Sequence, residues 1–172
     1  MTPVLTTDRL HLVAPNEKHV AAYTQFIASE RAAALGWSLM PHEAWRNYAA
    51  VLGHQRLRGF GPFIAEARGN GRVLGIFGPW WPEGQAEPEI KWTIFSPSDE
   101  GRGFATEAAH ACLTDAFSRL GWSTAVSYIT EENARSAAVA TRLGAVRDGH
   151  WTTPRGTIVR VFRHAAPTGS AG

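Results

Sequence analysis

The 172-residue chain has one cysteine, Cys112, and two lysines, Lys18 and Lys91, beside fifteen arginines. A single thiol excludes an intrachain disulfide and any multi-cysteine metal site, and it suits a reducing compartment, so a cytoplasmic location is the expectation. No run approaches the ~18 apolar residues of a membrane helix, and residues 1–9 lack a basic segment followed by an apolar one; neither membrane insertion nor export is expected. An excess of one charge is missing too. Seventeen basic against fifteen acidic side chains leave a formal +2, which does not mark a nucleic-acid binder. His42, His54 and His150 are scattered with no carboxylate partner visible, so no metal site is expected.

What remains is an ordinary globular composition, 44% hydrophobic and 19% charged, without the signature of disorder. Its length predicts one domain, over residues 4–164, followed by a disordered small-residue tail, 165–172. Residues 9–13 alternate polar and apolar as an opening strand, and Asn16 is placed to cap a helix running to about Ser29. A second helix, about 42–58, follows Pro41 and places Trp45, Tyr48, Ala49 and Leu52 on one stripe. Residues 62–67 and 72–77 flank Arg68-Gly69-Asn70-Gly71 as a hairpin, and a loop containing Pro79-Trp80-Trp81-Pro82 leads to a third strand, 89–95. Ala105, Ala108, Ala109, Cys112, Leu113, Ala116, Phe117 and Leu120 then recur with helical spacing. Gly121 closes that helix; a strand at 125–129, a helix at 133–143 closed by Gly144, and strands near 145–150 and 157–163 complete the chain. Strand–helix–strand order in this half predicts a partly parallel sheet.

Between strand and long helix lies Asp99-Glu100-Gly101-Arg102-Gly103-Phe104-Ala105-Thr106-Glu107. Two glycines at the mouth of a helix let the backbone approach a ligand, and unpaired first-turn N–H groups can then point at an anion such as a pyrophosphate. The helix dipole adds about 0.3–1 kcal/mol for a negative group, and Arg102 adds a cation. Such turns are common without a ligand, so the surrounding segments decide. Upstream stands Glu87-Pro88-Glu89-Ile90-Lys91-Trp92; downstream, Asn133-Ala134-Arg135-Ser136 and on to Leu143-Gly144-Ala145; at the start, Thr7-Asp8-Arg9-Leu10-His11-Leu12. In this order, over residues 5–164, these motifs resemble the GNAT superfamily of acetyl-CoA-dependent N-acetyltransferases, in the branch with the ribosomal-protein N-terminal acetyltransferases.

The resemblance implies an α+β fold, a mixed, mostly antiparallel central sheet with helices on both faces, in which the 90–95 and 125–129 strands splay apart to admit the pantetheine arm. It implies a diphosphate loop of Gly101, Arg102, Gly103, Phe104, Ala105 and Thr106. Backbone groups of Thr93, Ile94 and Phe95 would pair with pantetheine like an added strand, and Asn133 would contact the cofactor arm. It further implies acetyl transfer to an amine-bearing acceptor, a protein N-terminus or a small molecule, in a ternary complex without a metal, by a monomer or homodimer. Two positions depart from the family pattern. Glu100 stands where Gln or Arg is usual, and Ala140 where many members carry a Tyr that protonates the thiolate. Ser136 becomes the candidate for holding or protonating the CoA sulfur; a non-catalytic acetyl-CoA sensor is the alternative reading.

The chemistry of the residues points the same way. Amines are mostly protonated at neutral pH, so acyl transfer needs a base, and Glu89, at the mouth of its strand, is the candidate, with Glu87 behind it. Trp37, Trp80 and Trp81 fall in loops suited to an acceptor wall. Trp80 and Trp81, with Glu83, Glu87 and Glu89, suggest a cationic acceptor with apolar character. Cys112 on the buried stripe reads as a packing residue, His110 as a surface one, and Arg155, Arg160 and Arg163 as a solvated strand face.

Overall fold

The computed structural model describes residues 4–37 and 40–167. Eight strands form one sheet in the order β1-β2-β3-β4-β5-β6-β8-β7. They are β1 (Leu5–Thr6), β2 (Leu10–Val13), β3 (Phe63–Ala67), β4 (Val73–Trp80), β5 (Glu89–Ile94), β6 (Thr124–Ile129), β7 (Val146–Thr152) and β8 (Ile158–Ala165). Every neighbouring pair is antiparallel except β5 and β6. The helices α1 (Val20–Ile27), α2 (Glu30–Ala34), α3 (Pro41–Arg58), α4 (Phe104–Ser118) and α5 (Ala134–Arg142) cover both faces. On one face Ala108, Ala109, Cys112 and Leu113 of α4 meet Leu10, Leu12, Phe63, Phe77 and Ile90. On the other, Tyr23, Phe26, Tyr48 and Val51 pack over Ile64 and Ile76.

The small residues of α4 let it lie close to the sheet, and Gly78 completes the fit. Its φ is +115°, and a Cβ there would stand 3.1 Å from both Cys112 Sγ and the Phe63 ring. Cys112 packs against the strand, as its place in the stripe predicts.

Three readings change. The first helix is not continuous to Ser29. Asn16 caps a 3-10 turn at Glu17–His19 that runs into α1, whereas Ser29 adopts an extended conformation and its side chain accepts the Ala32 N–H, capping a separate α2. The inward stripe of α3 is Ala44, Tyr48, Val51 and His54, while Trp45 is 60% and Leu52 36% exposed. Tyr48 sets that rotation: its hydroxyl donates to Asn16 O at 2.8 Å and its ring lies 4.9 Å from Tyr23. At the C-terminus β8 continues through Ala165, and Ala166 N–H donates to Ser123 O; of the tail, residues 168–172 lie outside the described residues.

Candidate active site

β5 and β6 pair at one position, Glu89 with Val126, where Val126 N–H donates to Pro88 O at 2.9 Å. One step further the strands are bridged by a side chain. Ser127 Oγ donates to Ile90 O at 2.6 Å, and because its single hydrogen is used there, the 2.9 Å contact with His164 has the imidazole Nε2–H as donor. His164 is buried, with no hydrogen-bond partner at Nδ1, and burial pulls its pKa from 6.5 to about 4. Beyond this bridge the strands diverge around a cleft of about 1640 Å³.

Alternation along β5 decides which backbone groups face the opening. Phe95 N–H donates to Leu74 O of the segment containing β4, and Thr93 O also lies against β4, next to Gly75. Residues of opposite parity turn the other way: Pro88 and Ile90 carbonyls bond across to β6, and Ile94 O accepts both Nε and Nη2 of Arg31 at 3.0 Å. The N–H and C=O of Trp92, and the N–H of Ile94, therefore form the edge towards the cleft. Of Thr93, Ile94 and Phe95, only Ile94 has backbone groups directed there, so the expected backbone contacts of Thr93 and Phe95 are corrected in favour of Trp92.

The loop before α4 is held from behind. A 3-10 turn at Pro97–Asp99 leads to Gly101 and Gly103, with φ of +72° and +81°. Glu107 N–H donates to Gly103 O at 3.0 Å, which leaves the N–H groups of Phe104, Ala105 and Thr106 without acceptors inside the helix. All three residues line the cleft with Gly101 and Gly103. Buried Asp99 accepts two hydrogen bonds from Arg72, at 2.6 and 2.8 Å, and one from Arg102 at 3.2 Å; the Arg72 bond, with the charges of both arginines, holds its carboxyl below the usual range. Arg102 turns from the cleft to this carboxylate and lies over the Phe104 ring, so its side chain secures the loop. Glu107 in the first turn accepts from Thr7 Oγ1, Arg9 N and Arg9 Nε at 2.5, 3.0 and 2.6 Å. Burial raises its pKa, but these bonds outweigh it and the net shift is downward. The Thr7-Asp8-Arg9 motif thus acts as a clamp on the start of α4.

Glu100 does not confront the cleft alone. It accepts from Arg31 at 2.7 Å and pairs with Arg135, and all three line the cleft with Arg142. Asn133 caps α5, its Oδ1 accepting the Ser136 N–H at 3.0 Å, and both residues border the same space. On the far side of the splay stand Glu89, Lys91 and Tyr128. Burial raises the Glu89 pKa, opposed by Lys91 and by hydrogen bonds from the Tyr128 backbone and Gln85. Burial lowers that of Lys91, opposed by Glu89. Lys91 Nζ lies 4.8 Å from the Trp37 ring and 5.0 Å from Trp80. Burial, then the charges of Glu87 and Glu89, raise the Tyr128 hydroxyl to about 12.

The family description "Acetyltransferase (GNAT) domain" matches residues 9–146. The chain belongs to the GNAT acetyltransferase family. An acetyltransferase from Agrobacterium tumefaciens superimposes with a TM-score of 0.87 at 30% identity over 95% of each chain. Two more distant structures share the fold. The ribosomal-protein α-N-acetyltransferase RimL, in complex with coenzyme A, has a TM-score of 0.75 at 17% identity over 95% of this chain and 98% of its own. An aminoglycoside acetyltransferase with coenzyme A and kanamycin has 0.74 at 17% over 91% and 93%.

As a GNAT enzyme the chain takes acetyl-CoA as acetyl donor, and its cleft fits that molecule: a free strand edge at Trp92, three unpaired helix N–H groups, and cationic Arg135 and Arg142 at the rim. Several expected site residues stand elsewhere. Trp81 donates from Nε1 to Gln85 O and its backbone N–H to His54 Nε2, so it fixes its own loop. Trp80 stacks on His54 at 4.4 Å and reaches the cleft only through Lys91. Glu87 is held by Arg163 at 2.7 and 2.9 Å, and Arg163 also pairs with Asp148; the arginine read as solvated is a strut. Lys91, Arg31, Tyr128 and the Ser127–His164 bridge escaped the sequence reading. Lys91, two residues beyond Glu89 on the same strand face, was the one with a readable signal. Among the described residues no group of three or more His, Cys, Asp or Glu could hold a metal, and no helix is long and apolar enough to cross a membrane.

Proposed function

We propose that this acetyltransferase moves the acetyl group to a primary amine by direct attack in a ternary complex, with Glu89 as the base. The observation that carries the reading is the position of Glu89: it sits where β5 and β6 part, in the cleft that also holds the α4 N-terminus, with a pKa raised by burial. A carboxylate raised in this way is a better proton acceptor than one in water. Gly101, Gly103, Phe104, Ala105 and Thr106 cradle the diphosphate, Trp92 and Ile94 offer the strand edge, and the bound donor supplies an activated acetyl carbonyl. Trp92 N–H, facing the splay, is placed to polarise it. Ser136, at the start of α5, holds or protonates the sulfur, and Asn133 orients it through its cap.

Thiol release is measured across peptide N-termini, amino acids, aminoglycosides and polyamines. Glu89→Gln is expected to lower kcat about 10²–10⁴-fold while acetyl-CoA affinity stays within about twofold. In the parent enzyme kcat/KM falls on the acid side through a pKa above that of an ordinary glutamate. Acetyl-CoA binding without release on any amine would instead mark a sensor.

A further inference from the structure

We propose that Lys91 selects the acceptor, and that the acceptor is a primary amine bearing a carboxylate close to the reacting nitrogen, as in an α-amino acid or a peptide with an acidic N-terminal residue. The proposal deepens the reading above and rests on Glu89 as proton acceptor.

Three observations lead to it. First, the aromatic pair that could have received a cationic acceptor already holds a cation, since Lys91 Nζ lies within 5.0 Å of both the Trp37 and Trp80 rings. An acceptor ammonium directed there meets a like charge. Second, the neighbouring carboxylates are committed: Glu87 to Arg163, Glu100 to Arg31 and Arg135, and Glu83 to Arg58. No acidic surface of the kind expected from Glu83, Glu87 and Glu89 is left to bind a second positive charge. Third, charge must balance through the reaction. Glu89 and Lys91 stand two residues apart on one face of β5 and both line the cleft, where the charge of each supports the charged form of the other against burial. Glu89 takes one proton from the bound ammonium and becomes neutral, which frees the amine; as the nitrogen bonds to the acetyl carbon and the carbon–sulfur bond breaks, the second proton lost by nitrogen goes, directly or through Ser136, to the departing sulfur, which leaves as the thiol. Lys91 is then a half-buried ammonium without its counter-charge, a costly arrangement unless another anion is close. A carboxylate on the acceptor restores the pair as the proton moves, so it is favoured most in the transition state.

The test compares matched amines differing only in the carboxylate: an amino acid against its carboxamide, and a peptide opening with Glu against one opening with Gln. The carboxylate member of at least one pair is expected to have a kcat/KM roughly ten- to hundredfold higher, and the two pairs separate a free amino acid from a peptide acceptor. In Lys91→Met the preference falls to about twofold, with unchanged acetyl-CoA affinity as the check on folding, while Lys91→Arg keeps it. Equal or better use of both carboxamides by the parent enzyme, or a preference that survives Lys91→Met, overturns the assignment. If amines turn over and Glu89→Gln stops them while the pairs are indistinguishable, Lys91 alone was misread. If no amine releases thiol, the catalytic reading fails and this proposal falls with it.

Discussion

Acidification should loosen this protein through one histidine well before the carboxylates of its ion pairs respond. His164 is buried at the root of the splay, donates through Nε2–H to Ser127, and has a pKa of about 4 against 6.5 when free. The unfolded chain therefore binds more protons than the folded one between those two values, so stability falls as the pH falls through that window. Working the two pKa values through the linkage relation gives a loss of about 2 kcal/mol between about pH 7 and pH 5. For a chain of this size that is a fall in Tm of roughly 4–8 °C. Asp99, Glu66 and Glu107 have depressed pKa values, so their contributions are present above the ordinary carboxylate range and decline only at lower pH. The assay is thermal or urea unfolding at closely spaced pH values for the parent and for His164→Gln, whose amide can still donate to Ser127. The variant is expected to be less stable at pH 7 but to lose the slope between pH 6.5 and 5. An unchanged slope in the variant, or an NMR titration placing His164 near 6.5, refutes the reasoning.

Other expectations follow from the loop and the core. Gly103→Ala should weaken acetyl-CoA binding and cost about 1–2 kcal/mol, because its φ of +81° disfavours any side chain and the new Cβ meets Arg9 Nη2 at 3.3 Å. Gly103→Glu adds a negative charge at the diphosphate site and should abolish binding, read by calorimetry. Asp99→Asn leaves Arg72 and Arg102 without a carboxylate and should lower stability by about 1–3 kcal/mol in denaturant unfolding, with acetyl-CoA affinity falling as well. On α3, Trp45→Gln should change stability by no more than about 0.5 kcal/mol, whereas Tyr48→Ala should cost about 3 kcal/mol or more. Equal effects would put the helix in the rotation first expected.

Local signals in the sequence were sufficient where local physics decides the outcome. Asn16 caps, the hairpin turns at Arg68-Gly69-Asn70-Gly71, and the alanine-rich stripe of α4 lies on the sheet. α3 shows the limit. Two overlapping stripes can be drawn on it, and the large side chains of Trp45 and Leu52 favour the wrong one; the choice is made by Tyr48 reaching Asn16, 32 residues away. The site divides in the same manner. The positions of the glycine loop at the mouth of α4 and of Glu89 at the start of β5 are legible because local patterns set those element boundaries. The direction of the Thr93 and Phe95 backbones is not, since it depends on which edge of β5 pairs with β4. Arg31 is further from view: it reaches Ile94 O across 63 positions, with no motif to announce it.

The single pairing between β5 and β6 also bears on how the fold comes apart. Five strands lie on one side of that seam and three on the other, joined within the sheet by a single residue pair and the Ser127 bridge. The amides of β6, β8 and β7 should therefore exchange with solvent deuterium as a separate, faster cooperative group in the free protein. A donor molecule laid along the edge of Trp92, as proposed above, would close the seam and merge the two groups. On that proposal acetyl-CoA would be an added piece of the sheet, and occupancy should be readable as slowed exchange in strands that never touch it.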